Sequence, residues 1–286
     1  MQDRLDNRQE LLKGYAAVLT TALLWSIGGV LIKLIPWGAM SINAGRCLVA
    51  LLVKALYRRS FKIKWSRKVV LAGVFFALTT IFFSSATKLT TAAIAILLQY
   101  SAPFFVMIYA LIWERKRPSG LDIVTSLVVV SGLVLCCLSG IRGGSALGTL
   151  FGLASGACFA MMLYVNASEG SDPDSANFLG LAICVLVGFP SVLNETDFSF
   201  NTLLLVFLLG AFQLGISYII LEYGIKRVTA ISATFLTALE PILNPVWVAI
   251  FYGEKIGALT IAGGALVLAA SLVYGVLTAR RPQSPE

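Results

Sequence analysis

The sequence predicts an all-α polytopic membrane protein: ten transmembrane helices arranged as two inverted five-helix repeats, with both termini in the cytoplasm. Three observations predict it. Of 286 residues, 58% are hydrophobic and only 13% charged, against roughly 25% charged in a soluble domain. The apolar residues fall into ten continuous runs of about the 20 residues a spanning helix needs. The two halves of the chain can also be laid over one another residue by residue.

The runs are 14–34, 38–57, 68–87, 91–113, 119–138, 146–166, 175–192, 202–222, 229–252 and 257–278. The first follows a polar tail, 1–13. It is too long for a signal peptide and lacks the small-residue cleavage site. Breakers and charges fall together between runs, as at Pro36-Trp37-Gly38, Arg115-Lys116-Arg117-Pro118 and Ser171-Asp172-Pro173-Asp174. In lipid every backbone group must be paired internally, so such runs are helices or closed barrel strands. Their length and lack of period-two alternation select helices. The loops and the tail 279–286 leave no room for a soluble domain or an ATP-hydrolysing motor.

Basic residues set the orientation. Seventeen of the 22 lie in the tails and even-numbered loops or the run ends beside them, four (Lys33, Lys88, Arg142 and Lys255) in odd-numbered loops or the run ends beside them, and Arg46 deep inside a run. This predicts cytoplasmic termini in a multi-pass protein of the cytoplasmic (inner) membrane. The net charge of +8 is spread over loops rather than interleaved with aromatics on one face, so nucleic acid is not an expected partner.

The repeat pairs 14–138 with 146–278. Shifted by 138, Lys88-Leu89-Thr90-Thr91 meets Lys226-Arg227-Val228-Thr229, and Pro103 meets Pro241. Glu114 meets Glu254 after a slip of two residues. Shifted by 134, Gly14 meets Gly148, Trp25 meets Phe159, and Ser41-Ile42-Asn43 meets Ser175-Ala176-Asn177. An odd number of spans per half inverts the second half, an architecture common among secondary transporters.

Each half thus has a proline-centred fourth span ending in an acidic loop, strongest at Leu239-Glu240-Pro241 with Tyr252-Gly253-Glu254 and weaker at Ser101-Ala102-Pro103 with Trp113-Glu114. The pattern resembles the drug/metabolite transporter superfamily, and within it the EamA-type ten-helix members, over almost the whole chain. The resemblance implies a 5+5 bundle, a central cavity between the halves, and alternating-access movement of a small metabolite. It says little about the substrate.

Charges deep in a membrane are costly and need a reason. Glu240 sits mid-span beside Pro241, with Pro245 four residues on. It is either a hydrogen-bond partner of the kink or a site for a ligand or a coupling proton. Arg46 is matched by Gly180, so the repeat is broken there. It either attracts an anionic group or snorkels to the interface. Asn43 lies on the same face. The other cavity candidates are Ser26, Gln99, Gln213, Ser217 and Asn244, with Trp25, Phe75, Tyr100, Tyr164, Tyr218 and Trp247 as aromatic walls. Pro103, Pro241 and Pro245 are the expected hinges. Gly148, Gly152 and Gly156 read as intramolecular packing in a monomer rather than a dimer face. Glu222 reads as an i,i+4 pair with Lys226 or as an inner-gate element.

The chain has no histidine and five cysteines, all inside apolar runs. It carries no HExxH, GxSxG, Walker A or EF-hand pattern. No enzyme, cofactor or metal site is expected. The expected partners are the bilayer, a small-molecule substrate such as an amino acid or amine, and a coupling proton or counter-substrate. A channel-like facilitator and a lipid flippase or scramblase are the competing readings.

Overall fold

A computed structural model describes residues 2–113, 115, 119–142, 145–228, 233 and 236–279. Among these the secondary structure is helical, without strands. The helices are α1 (Gln2–Ser26), α2 (Gly28–Leu34), α3 (Ala39–Arg58), α4 (Arg67–Leu89), α5 (Ala92–Gln99), α6 (Ala102–Trp113), α7 (Gly120–Arg142), α8 (Ala146–Asn166), α9 (Pro173–Val192) and α10 (Phe200–Leu208). A π-helix (Leu209–Ile216) follows, then α11 (Ser217–Ile225), α12 (Leu239–Tyr252) and α13 (Ala258–Ala279). Among the described residues eight stretches are long and apolar enough to cross a membrane, and Leu239–Tyr252 and Ala258–Tyr274 are shorter apolar helices. Glu114, Lys116, Arg117, Pro118, Thr229, Arg280 and Arg281 lie outside the described residues.

Local chemistry sets many of the boundaries. Ser66, Thr91, Ser145 and Ser199 each accept a bond from a backbone N–H three residues on and so cap α4, α5, α8 and α10. Gly253, at φ 73°, ends α12 in the left-handed conformation. The tail expected at 1–13 is instead helical from Gln2, where Glu10 pairs with Lys13 at 2.7 Å.

Among the described residues four of the apolar runs are not uniform α-helices, the ninth being broken at Ala238. The first is interrupted at Ile27, the fourth at Tyr100–Ser101, and the eighth turns π-helical in its middle. The proline breaks fall before the prolines. Pro103 is the second residue of α6, and Pro241 lies in the first turn of α12. A helix leaves its first N–H groups unpaired, so a proline is tolerated there. Pro245 lies inside α12 and deprives the Pro241 carbonyl of its helical donor.

Helices of one half pack chiefly on helices of the other. α4 packs on α8 and α9, and α8 also on α5 and α6. α1 packs on α11, α3 on the π-helix, and α12 on α1 and α2. α3 meets α9, and α7 meets α13. Small residues allow these approaches. A Cβ at Gly132 would lie 2.6 Å from the Gly263 carbonyl, and one at Gly263 2.5 Å from the Gly132 carbonyl. Gly148, Gly152 and Gly156 face Leu89, Leu98 and the Leu98 carbonyl, so this stripe packs inside the chain.

The two ends of the bundle close differently. At the end where α1 begins, Lys54 of α3 lies 2.8 Å from Asp174 and 3.6 Å from Glu222, and Arg58 lies 3.0 Å from Asp174. Glu222 therefore pairs with another helix rather than with Lys226. At the far end Lys33 meets Glu254 at 2.9 Å and donates to the Thr90 carbonyl at 2.7 Å. The other Glu254 oxygen accepts from Ala92 N–H at the start of α5, at 2.9 Å. The largest apolar cluster, with Ile32, Ile35, Ile42, Ile96, Leu98 and Leu209, fills this far half.

Candidate functional site

A cavity of about 320 Å³ lies between the helices, within the range of small-molecule sites. Its polar contacts centre on Glu240 and Arg46. The Glu240 side chain projects from the first turn of α12, where the unpaired N–H groups favour negative charge. Facing it is Tyr100, at the break between α5 and α6. The Tyr100 hydroxyl lies 2.9 Å from Glu240 Oε2 and 3.1 Å from the Thr237 carbonyl. Its single proton serves one acceptor at a time. Two interrupted helices therefore meet where the carboxylate is.

Arg46 comes from α3 and is 1% exposed. Its Nε and Nη2 donate to Asn43 Oδ1 at 3.1 and 2.9 Å, and Nη2 also donates to the Thr80 carbonyl at 3.1 Å. Ser84 adds a bond to the same Asn43 oxygen at 3.3 Å. Snorkelling does not describe this side chain, because it is held by neutral acceptors in the wall of the cavity. Among the described residues neither Arg46 nor Glu240 has an ion-pair partner. Buried charges are normally paired, so both retain unspent capacity for a charged group.

The remaining candidates divide into two groups. Trp25, Gln99, Gln213 and Tyr218 line the cavity together with Arg46, Tyr100 and Glu240. Asn43 stands behind Arg46. Ser217 accepts from the Trp25 indole at 2.9 Å, and Trp25 packs on Tyr218 with ring centroids 5.4 Å apart. Ser26 accepts from the Trp247 indole at 2.9 Å, which ties the interruption at Ile27 to α12. Asn244 is 1% exposed and presses on Gly29, with neither amide atom hydrogen-bonded among the described residues. Phe75 packs in the apolar cluster around Cys47 and Cys184. Tyr164 lies 5.9 Å from the Trp113 ring. Pro241 and Pro245 are buried beside Glu240. The Pro103 backbone starts α6, and its side chain is outside the described part.

Several wall residues were missed, notably Phe76, Thr79, Thr80 and Thr237. The repeat held the signal. The shift of 138 maps Thr79 and Thr80 onto Ser217 and Tyr218, and Gln99 onto Thr237. Among the described residues no group of three or more His, Cys, Asp or Glu side chains is placed to hold a metal.

The family model described as the EamA-like transporter family matches residues 12–138 and again 144–276. The chain belongs to the EamA-like transporter family. It is a multi-pass membrane transporter of the drug/metabolite transporter superfamily. An uncharacterized transporter of Archaeoglobus fulgidus is 24% identical over 265 residues, which covers 91% of this EamA-like chain and 95% of the relative. A solved crystal structure, described only as that of a protein, aligns with a TM-score of 0.59 at 21% identity. It covers 96% of this chain and all of its own. That likeness concerns the fold.

Proposed function

We propose that this EamA-like protein is a ten-span secondary active transporter built as two inverted five-helix repeats. On this reading both termini are cytoplasmic, and a small metabolite crosses the cytoplasmic membrane by alternating access. The observation that carries it is a mid-bundle cavity holding an arginine and a carboxylate from different helices, each without an ion-pair partner among the described residues. A molecule with both an anionic and a cationic group, such as an amino acid, matches that pair, and an amine matches Glu240 alone.

The repeat is supported by paired contacts. Thr21 donates to the Ser217 carbonyl at 3.3 Å, and Ser155 donates to the Thr79 carbonyl at 3.0 Å. Thr21 and Ser155 are 134 apart, and Thr79 and Ser217 are 138 apart, so exchanging the halves carries one bond onto the other. Exchange likewise carries the break at Tyr100 onto Ala238, and the packing of α4 on α8 onto that of α1 on α11. Half-helices that end at the midplane suit a transporter, because their termini face the substrate site. The apolar cluster and the Lys33–Glu254 pair support a conformation closed at the far end.

Counterflow in reconstituted vesicles tests the reading. The expected result is saturable uptake of a labelled amino acid or amine, accelerated by the same solute inside. Flux that neither saturates nor shows counterflow indicates a channel-like facilitator. Scrambling of labelled lipid without solute movement indicates a lipid transporter. If Glu240 carries the coupling proton, Glu240→Gln loses pH-driven uptake and keeps exchange. Unchanged pH-driven uptake in that variant removes Glu240 from proton coupling.

A further inference from the structure

The segment joining α3 to α4 interleaves cations with apolar residues: Arg59, Phe61, Lys62, Ile63, Lys64 and Trp65, then Arg67 and Lys68 as α4 begins. It lies at the end of the bundle where α1 begins, and it is braced against α9. Arg58, the last residue of α3, lies 3.0 Å from Asp174 and donates to the Lys62 carbonyl at 2.7 Å. Its guanidinium also sits 4.8 Å from the centre of the Phe178 ring. The Lys64 N–H donates to the Ser175 hydroxyl at 3.1 Å, and the Lys64 ammonium lies 3.4 Å from Asp172. The Lys68 ammonium donates to the Glu169 carbonyl. Arg58, Lys64 and Lys68 therefore hold the segment in place.

Three further cations are left over. The side chains of Arg59, Lys62 and Arg67 are exposed and have no hydrogen-bond or ion-pair partner among the described residues. Phe61 and Trp65 stand between them, each 69% exposed. Phe61 meets the Phe178 ring edge to face, with centroids 6.1 Å apart. Exposed aromatic side chains of this kind belong at the edge of a bilayer, level with the headgroups. The loop of the other half shows what is particular here. Ser199 caps α10 as Ser66 caps α4, so 193–198 is the equivalent segment. It exposes Leu193 and Phe198, but its charges are Glu195 and Asp197, with no cation. Both segments carry apolar anchors, and only 59–66 surrounds them with positive charge.

We propose that 59–67 is a binding site for an anionic phospholipid. Arg59, Lys62 and Arg67 bind the headgroup phosphate, to which a guanidinium offers two parallel N–H donors. Phe61 and Trp65 rest at the boundary between headgroup and acyl chain. Leu48, Leu52 and Leu56, exposed at four-residue spacing, form a stripe along α3 that leads to these rings and receives the chain. Free phosphate would leave the rings in water. A single-stranded nucleic acid also uses cations and rings, but here the rings continue the apolar stripe of a membrane helix. The site lies apart from the cavity, so the inference goes beyond the transporter reading and does not depend on it.

The test places the full-length protein in phosphatidylcholine vesicles that contain, at equal mole fraction, brominated phosphatidylglycerol or brominated phosphatidylcholine. Bromine quenches nearby tryptophan, and the difference between wild type and Trp65→Phe isolates the Trp65 emission. The expected wild-type result is stronger quenching by the brominated phosphatidylglycerol, weakened by added salt. Arg59→Gln, Lys62→Gln and Arg67→Gln each lower the preference for the anionic lipid about fivefold. The three together abolish it, with a Tm near that of the wild type. A tryptophan reporter at the other end, Phe200→Trp in the Trp65→Phe background, shows no preference for the anionic lipid. Equal quenching of Trp65 by the two lipids overturns the proposal, as does a preference that survives in the folded triple variant or is matched at position 200. Loss of the preference on adding inorganic phosphate or a short RNA to the vesicles also overturns it, by assigning the site to a soluble anion.

Discussion

The first and second halves of this molecule share a scaffold and differ in chemistry. A contact that uses the backbone recurs in both: the Thr21 and Ser155 hydroxyls on the Ser217 and Thr79 carbonyls. The main polar side chains facing the cavity do not recur. Arg46 is matched by Gly180, Glu240 by Ala102, Tyr100 by Ala238 and Gln99 by Thr237. At Gly180 there is no room for a second arginine, since a Cβ would lie 2.6 Å from Phe76 Cδ1. On the proposed reading, an inverted repeat needs equivalent packing in both halves to reach two equivalent conformations. A substrate without that symmetry needs a site without it.

The largest expected effects come from breaking the asymmetric part. Arg46→Ala removes the guanidinium bonds to the Asn43 and Thr80 oxygens and leaves Asn43 Oδ1 with the Ser84 hydroxyl. It is expected to abolish counterflow and to cost about 1–3 kcal/mol of stability. Full counterflow in a folded Arg46→Ala protein would show that the arginine is structural. Breaking the scaffold at the α7–α13 crossing has a smaller effect, similar from its two sides. Gly132→Ala and Gly263→Ala each push a methyl into a backbone carbonyl, at about 1–3 kcal/mol, and their Tm losses should match within error. Unequal losses would mean that the α7–α13 crossing is not equivalent from its two sides.

Asn244 sharpens the comparison from within the site. A buried amide with no partner is a liability if it is only packing. Asn244→Leu is then expected to leave the Tm unchanged or higher. If substrate satisfies the amide, the same variant also loses uptake, so measuring both separates the two roles. The twin hydroxyl bonds are weaker. Thr21→Val should cost about 0.6 kcal/mol or less, because its proton is shared with the Ala17 carbonyl at 3.1 Å. Ser155→Ala should cost more, because its hydroxyl also accepts from Gln99 Nε2 at 3.1 Å. The reverse order would break the pairing of α1 on α11 with α8 on α4.

The smallest effect lies outside the membrane-spanning segments. The Thr202 hydroxyl, followed by the Ser199 N–H, holds the Asp197 carboxyl below the usual carboxylate range. Its folded-state value is depressed, so its contribution is present above the ordinary value of about 4 and is lost as pH falls through the lowered one. Asp197→Asn should flatten that part of the Tm–pH curve. An unchanged acid limb would show that the bond to Thr202 does not persist in solution.

Much of this was readable in the sequence, for identifiable reasons. Membrane helices announce themselves by composition, and scarce polar residues at depth have few places to go. That is why Glu240, Arg46, Asn43 and Gln99 could be singled out beforehand. Adjacent aromatic residues are harder. In a helix apolar on every side, nothing distinguishes Phe75 from Phe76, yet only Phe76 reaches the cavity. Tyr164 fails for the same reason. Pairings between distant loops, such as Lys33 with Glu254 and Lys54 with Glu222, leave no local pattern.

The central claim is that one scaffold alternates between two related closures. Spin labels on the exposed positions Leu34 and Tyr252 at the far end, and on Tyr57 and Ile225 at the end where α1 begins, test it by pulsed distance measurement in lipid. The native cysteines are replaced beforehand. The account predicts two distances for each pair, with the far-end pair shifting to the longer one as the other pair shifts to the shorter when transported solute is added. A single unchanging distance at both ends would contradict it.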